Sequence, residues 1–267
     1  MFIDVPGGYL YTETRGSGQD VVLLNAGTMD LRLWASTVDW LSGIARVTTY
    51  DYRDIGLSSP GTAPFDELDD LRAVFDAAGI ESAVLVGCSE GARRALGFAH
   101  RHPSRVSHVV AASGAFGEFP DPSSEEAAAW QEMLTSFEKI DAALAASGVR
   151  ASSEVAQPMW SSALNEEGRR FVIGLEVANT HRIILDNRYL GTELDPPVKT
   201  RFDEIATPIS VLVGARDFLG IQLWGRRLAA QAPNATLTTF PGGDHLMMLS
   251  APGDFERFLR ALLATLA

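Results

Sequence analysis

The chain is 267 residues long, 46% hydrophobic and 21% charged, which suits one large globular domain or a core with a modest insertion and excludes a disordered chain. Its net charge of −12 would repel phosphate backbones and anionic lipid, so neither nucleic acid nor an acidic membrane surface is expected as a partner. The lone cysteine, Cys88, rules out an intramolecular disulfide, and there is neither a basic leader with an apolar run behind it nor a stretch of about 18 apolar residues, so a cytoplasmic, reducing location is expected.

In chain order, residues 2–5 and 9–14, separated by Pro6-Gly7-Gly8, read as a β-hairpin. Val21-Val22-Leu23-Leu24-Asn25 is a continuous apolar run, the pattern of a strand buried on both faces, and it opens into the small-residue loop Asn25-Ala26-Gly27-Thr28. The spacing predicts a helix over 31–44, a strand over 46–50 and a helix over 65–80, with Gly79 near its end. Val84-Leu85-Val86 is then a short β-branched apolar run, Gly87-Cys88-Ser89-Glu90-Gly91 has the form G-x-S-x-G, and residues 92–96 are rich in helix formers. Strand, sharp turn and helix in that order make a nucleophile elbow. The serine stands clear of the sheet on a strained turn, and the residues two positions to either side lack side chains because helix and strand approach closely there. Cys88, at the second position of the elbow, should point into the core and not serve as nucleophile.

Residues 106–112 form a further strand, after which the alternation stops. A Pro120-Asp121-Pro122-Ser123 loop leads into helical patterns over 127–145, 153–164, 166–180 and 181–189, read as a helical insertion lying over the sheet edge. A strand over 208–213, a helix over 221–231, a strand over 236–240 and a terminal helix over 251–266 resume the earlier grammar. Such alternation predicts an α/β fold with a mostly parallel sheet covered on both faces, whose ligands gather at the carboxyl ends of the strands. The expected division is a core of residues 1–115 and 205–267 with a helical cap of 116–204.

A serine hydroxyl is a poor nucleophile until a base removes its proton, and that base must be oriented by a third group. His100 and His102 sit at the far end of the helix after the elbow, His108 lies inside a strand and His181 belongs to the insertion. Only His245 follows a strand in a Gly-rich turn, Pro241-Gly242-Gly243-Asp244-His245, from which a side chain could swing toward Ser89. Asp217, just past Val211-Leu212-Val213-Gly214, is the expected acid; Asp244 is its rival, better suited to shaping the loop.

These pieces together resemble the α/β-hydrolase superfamily over almost the whole chain, and the order Ser89, Asp217, His245 is the one expected there. The matching segments are the strand 21–25 with its loop, Asp51-Tyr52-Arg53-Asp54-Ile55-Gly56-Leu57-Ser58, the elbow, the strand ending at Asp217 and the His245 turn. The resemblance implies an oxyanion hole of two backbone amides, one from Glu90 and the other from Gly27 or Thr28, in a loop reading Asn-Ala-Gly where many relatives carry His-Gly. Asp54 stands where relatives commonly have glycine, a form similar to that in esterases acting on polyketide antibiotics. A serine at the nucleophile position disfavours the epoxide hydrolase and haloalkane dehalogenase chemistries, which use aspartate.

What the resemblance implies is a serine hydrolase that needs no metal and no cofactor, cleaving an ester or lactone of a small to medium apolar molecule, with secondary metabolism a natural source. Carbon–carbon hydrolysis of diketones, a non-hydrolytic cyclase or lyase step, and a receptor-like ligand-binding role are the alternatives on the same fold. Thr28, Met29, Trp130, Trp160 and His181 are the expected substrate contacts, with Met133, Met159, Phe171, Arg182, Asn187, Arg188 and Tyr189 as further lining candidates from the cap.

Overall fold

The structure, a computed structural model, describes residues 1–181, 190–192 and 194–266. Its centre is an eight-stranded sheet of β1 (Phe2–Val5), β2 (Gly8–Gly16), β3 (Asp20–Leu24), β4 (Arg46–Tyr50), β6 (Ala83–Cys88), β7 (Val106–Ala112), β9 (Ile209–Gly214) and β10 (Ala235–Phe240), in the spatial order β1-β2-β4-β3-β6-β7-β9-β10. The hairpin strands β1 and β2 run antiparallel to their neighbours, and every pairing from β4 onward is parallel. Because β3 pairs with β4 on one side and β6 on the other, the chain reverses its direction of winding between β3 and β6. In such sheets the crevice at this switch point, outside the carboxyl ends of the strands, is where ligands bind.

The uninterrupted apolar runs follow from burial on both faces. Val22, Leu24, Leu85, Val109 and Val211 point to one side, where they meet α2 (Glu67–Ala78), α3 (Glu90–Arg101) and the helix Leu219–Gln231 through Leu71, Phe98 and Trp224. Val21, Leu23, Val84, Val86 and Leu212 point to the other and meet α1 (Ala35–Leu41) and the terminal helix Pro252–Leu266 through Trp34, Phe255 and Leu259. Cys88 belongs to this second cluster and is fully buried, as expected, and burial pushes its thiol well above the ordinary value. Met247 and Met248 belong to the same cluster.

Several elements differ from the sequence expectation for local reasons. The helix expected over 31–44 is a 3-10 turn, Leu31–Trp34, followed by α1, because the Asp30 carboxylate caps the amide of Arg32 and tightens the first turn. Phe65 and Asp66 do not open α2: Asp66 is its N-cap, accepting from the amides of Leu68 and Asp69, and the pair forms a two-residue strand, β5, against β8 (Gly191–Thr192). Between β7 and β9 lie α4 (Ser124–Ser147), closed at its start by the Ser123/Glu126 capping box, α5 (Val149–Trp160) and α6 (Glu166–Ala178). Both ends of the 116–204 stretch pack with the core, since Phe116, Phe119 and Phe202 surround Trp224. The helix expected over 181–189 falls, after His181, outside the described residues.

The elbow depends on a contact that only glycine permits. A Cβ at Gly87 would sit 2.3 Å from the carbonyl oxygen of Gly91, and one at Gly91 would sit 2.3 Å from that of Leu24. The obstructing atoms are backbone, so α3 would have to move off β3 and β6 to admit even a methyl group. Gly91→Ala should therefore lower unfolding stability by about 1–3 kcal/mol in chemical denaturation, an overpacking penalty that the equivalent exposed change at Gly174 should not show.

Candidate active site

The close fit of α3 forces Ser89 into a sparsely populated conformation, φ 56° and ψ −114°, as the residue that precedes the helix. For a non-glycine residue this is stored strain, held by hydrogen bonds on both sides: its amide donates to Ala112 and its carbonyl accepts from Ala92 and Arg93. The side chain is thereby turned off the sheet edge and lines a cavity of about 670 Å³. Gly27, Thr28, Met29, Trp160 and His245 line the same cavity.

His245 arrives from the far side of the sheet, after β10. Its Nδ1 lies 3.0 and 3.1 Å from the two carboxylate oxygens of Asp217, which comes from the loop after β9 and whose side chain is fully buried. A carboxylate only accepts, so this contact assigns the proton to Nδ1 and leaves Nε2 as the basic nitrogen. Asp217 is itself braced by the amide of Phe218, at 2.8 Å. The loop is tied to the elbow strand by the Cys88 thiol, which donates to the His245 carbonyl, and the Trp160 ring covers the imidazole with centroids 4.6 Å apart.

Asp244, the rival acid, is occupied elsewhere. Its carboxylate accepts from the amide of Leu246 at 3.0 Å and from that of Ala163 at 2.9 Å, so it shapes the His245 turn and joins it to the segment after α5.

The Glu90 amide is the first N–H of α3, one of the donors a helix leaves without an internal partner, at the positive end of the helix dipole. Its carboxylate lies against Gly27, where an added Cβ would come within 2.5 Å of Oε2. That negative charge is balanced by Arg93 at 3.0 Å and Arg94 at 2.8 Å. The Asp51–Ser58 segment braces the loop after β3, Tyr52 donating its hydroxyl to the Asn25 carbonyl. Asp51 accepts from the amides of Leu31 and Leu57, and its burial raises its carboxyl to about 6. Asp54 takes the left-handed conformation, φ 65°, that glycine usually supplies, and its carboxylate accepts from the Gly61 amide. It therefore serves the turn.

Two of the expected substrate contacts are not brought to the cavity. Trp130 lies in the first half of α4, which is drawn onto the core by the Arg227–Glu126 ion pair at 2.9 Å, and it packs against that core. The cavity wall is formed by the second half of the same helix, through Phe137, Ile140, Asp141 and Leu144. His181 is exposed just past α6. Among the further cap candidates, Met133 packs toward Gly220, Met159 is buried away from the lining and Phe171 is exposed. Arg182, Asn187, Arg188 and Tyr189 lie outside the described residues.

Sequence reasoning missed Ser152, Ser153 and Glu176, which line the cavity from α5 and α6. The signal was present: Glu176 follows Val172 and Ile173 at helical spacing and so interrupts an apolar stripe. It is 6% exposed, and burial raises its carboxyl to about 7, with the nearby Ser153 hydroxyl drawing it part way back.

This shift sets a pH dependence of stability. Between the ordinary value of 4.5 and about 7, the folded chain holds a proton that the unfolded chain has released. Stability contributed by the neutral carboxyl is complete below that window and falls as pH rises through it, by about 3 kcal/mol in all. Denaturant unfolding between about pH 4 and pH 8 should show this loss in the wild type and a smaller loss in Glu176→Gln.

The family model for the alpha/beta hydrolase fold matches residues 21–252. The chain belongs to this family and is an α/β-hydrolase. Among curated proteins it is 30% identical over 268 residues to RutD of Caulobacter sp. (strain K31), a protein named for carbamate hydrolysis, with 92% of each chain covered. It is 26% identical to the pimeloyl-(acyl-carrier protein) methyl ester esterase of Chromobacterium violaceum, covering 97% of this chain and 99% of that one. Among solved structures, the enol-lactonase of Burkholderia xenovorans LB400 superposes with a TM-score of 0.80 at 21% identity, covering 99% of this chain and all of its own, a likeness of fold.

Proposed function

We propose that the protein is a serine hydrolase that cleaves an ester or lactone of a small to medium, largely apolar molecule through an acyl-enzyme. One observation carries this reading: a strained, outward-turned Ser89 and a carboxylate-bound imidazole, His245 with Asp217, border one cavity. The similarity to proteins named for carbamate, methyl ester and lactone hydrolysis supports it, since each of those bonds joins an acyl carbon to a heteroatom leaving group.

In this reading Ser89 Oγ attacks the acyl carbon while His245 Nε2 takes its proton. Asp217 holds the imidazole by Nδ1 and stabilises the cation that forms. The amides of Glu90 and Gly27 receive the oxyanion, each contributing about 3 kcal/mol to the transition state. The carbon–oxygen bond then breaks as His245 returns its proton to the departing alkoxide. Water, deprotonated by the same nitrogen, attacks the acyl-enzyme and frees the acid and the serine. The Trp160 ring over His245, backed by Phe137, keeps bulk water away from the imidazole and favours an uncharged group at the reacting centre.

Ser89→Ala should lower kcat/KM for p-nitrophenyl acetate by about four to six orders of magnitude with thermal unfolding unchanged. Asp217→Asn should lower kcat by about ten-thousandfold, because the amide favours the wrong tautomer. A fluorophosphonate probe should label Ser89, found by mass spectrometry, and labelling at another residue or undiminished turnover in Ser89→Ala would overturn the assignment.

A further inference from the structure

The cap side of the cavity has a chemistry that acyl transfer at Ser89 does not use. Glu176 is more than nine-tenths buried, and its Oε2 has no hydrogen-bond partner. The Ser153 hydroxyl beside it, which draws the carboxyl part way down, is buried too and makes no close hydrogen bond. Both line the cavity, together with Ser152 and a second carboxylate, Asp141, from α4. A buried acceptor left without a donor is unfavourable, more so for a charged group, so such an arrangement is kept where something else supplies the donor.

Given the acyl-transfer reading of this cavity, we propose that Glu176, with Ser153 and Asp141, forms a subsite for a protonated amine carried on the substrate at a distance from the bond that is cleaved. Two carboxylates and two hydroxyls offer a surplus of acceptors, and among the described residues no lysine or arginine lines the cavity. A terminal carboxylate or phosphate would meet like charge there. A hydroxyl could donate once, but only a cation also offsets the desolvation of an ionised carboxylate. Among the described residues no cation draws the Glu176 carboxyl down, and a bound ammonium would. Apolar side chains, Ile140, Leu144 and Ala156 among them, line the same cavity and suit a hydrocarbon arm. The favoured substrate is thus an ester or lactone with an amine at the end of an aliphatic arm.

The test compares methyl esters of ω-amino acids of graded chain length with alkanoates and monomethyl dicarboxylates of matched length, read as ratios of kcat/KM. At the optimal length the wild type should prefer the amine over the alkyl terminus, and the carboxylate should be the poorest of the three. Glu176→Gln should reduce the amine-to-alkyl ratio about tenfold, expressed in KM, as expected for one lost charge-assisted contact. Asp141→Asn should reduce it less, and Glu176→Leu should reverse the preference. If the wild type shows no amine preference at any length, or if Glu176→Gln keeps it in full, the subsite is overturned. Should Glu176→Gln not fold, Glu176→Asp and Asp141→Asn provide the same ratio. Wild-type turnover of p-nitrophenyl acetate separates the two readings, since its absence would reject acyl transfer itself and its presence without amine preference rejects only the subsite.

Discussion

The packing of α3 against β3 and β6 governs the rest of the molecule. Backbone meets backbone there with no room for a Cβ at Gly87 or Gly91, so the connection between strand and helix cannot relax into ordinary turn geometry. Ser89 is held at φ 56° as a result, its side chain aimed over the sheet edge. The same register puts the helix start beside the loop after β3, so that Gly27 and the Glu90 amide become neighbours of the serine. Strain at one residue and the positive end of a helix dipole are thus two products of one steric fact.

Much of this was legible in the residues because it is local. The G-x-S-x-G spacing, the apolar runs, and Asp217 and His245 each just past a strand are short-range patterns, and a parallel sheet converts such positions into one rim. What was not legible depended on partners far away in sequence. Trp130 and Trp160 are alike as aromatic residues on helices, yet an ion pair near the start of α4 takes the first to the core, while the second lies tilted against the His245 ring. The two-residue pairing of Phe65–Asp66 with Gly191–Thr192 is too short to leave a periodic trace. Glu176 left a trace, one polar residue in an apolar stripe, but its meaning depended on knowing that the stripe borders a cavity.

The buried carboxylates around the site fall into two groups. Near the reacting centre each carboxylate is engaged: Asp217 by His245, Asp244 by amides, Glu90 by two arginines. On the cap side Glu176 lines the cavity, and its buried Oε2 has no hydrogen-bond partner. Buried carboxyls near a candidate nucleophile would ordinarily disfavour a developing oxyanion, and pairing the first three while Glu176 stays protonated below about pH 7 removes that conflict.

The α4–α6 insertion is fastened to the core at points that also hold the site. Asp244 grips Ala163 beyond α5, and the buried Asn179 beyond α6 donates to Asp30 and accepts from the Gly56 amide. Each fastening uses a loop that leaves the sheet edge, so the mounting of the cap and the placement of His245 and the Gly27 loop share the same bonds. Apart from Glu126, paired with Arg227, and Trp160, which covers His245, the helical faces between these rivets bear little of that duty. Sequence drift there can reshape what the cavity accepts while the chemical apparatus stays in register, which makes the span from α4 to α6 an interchangeable cartridge on a fixed breech.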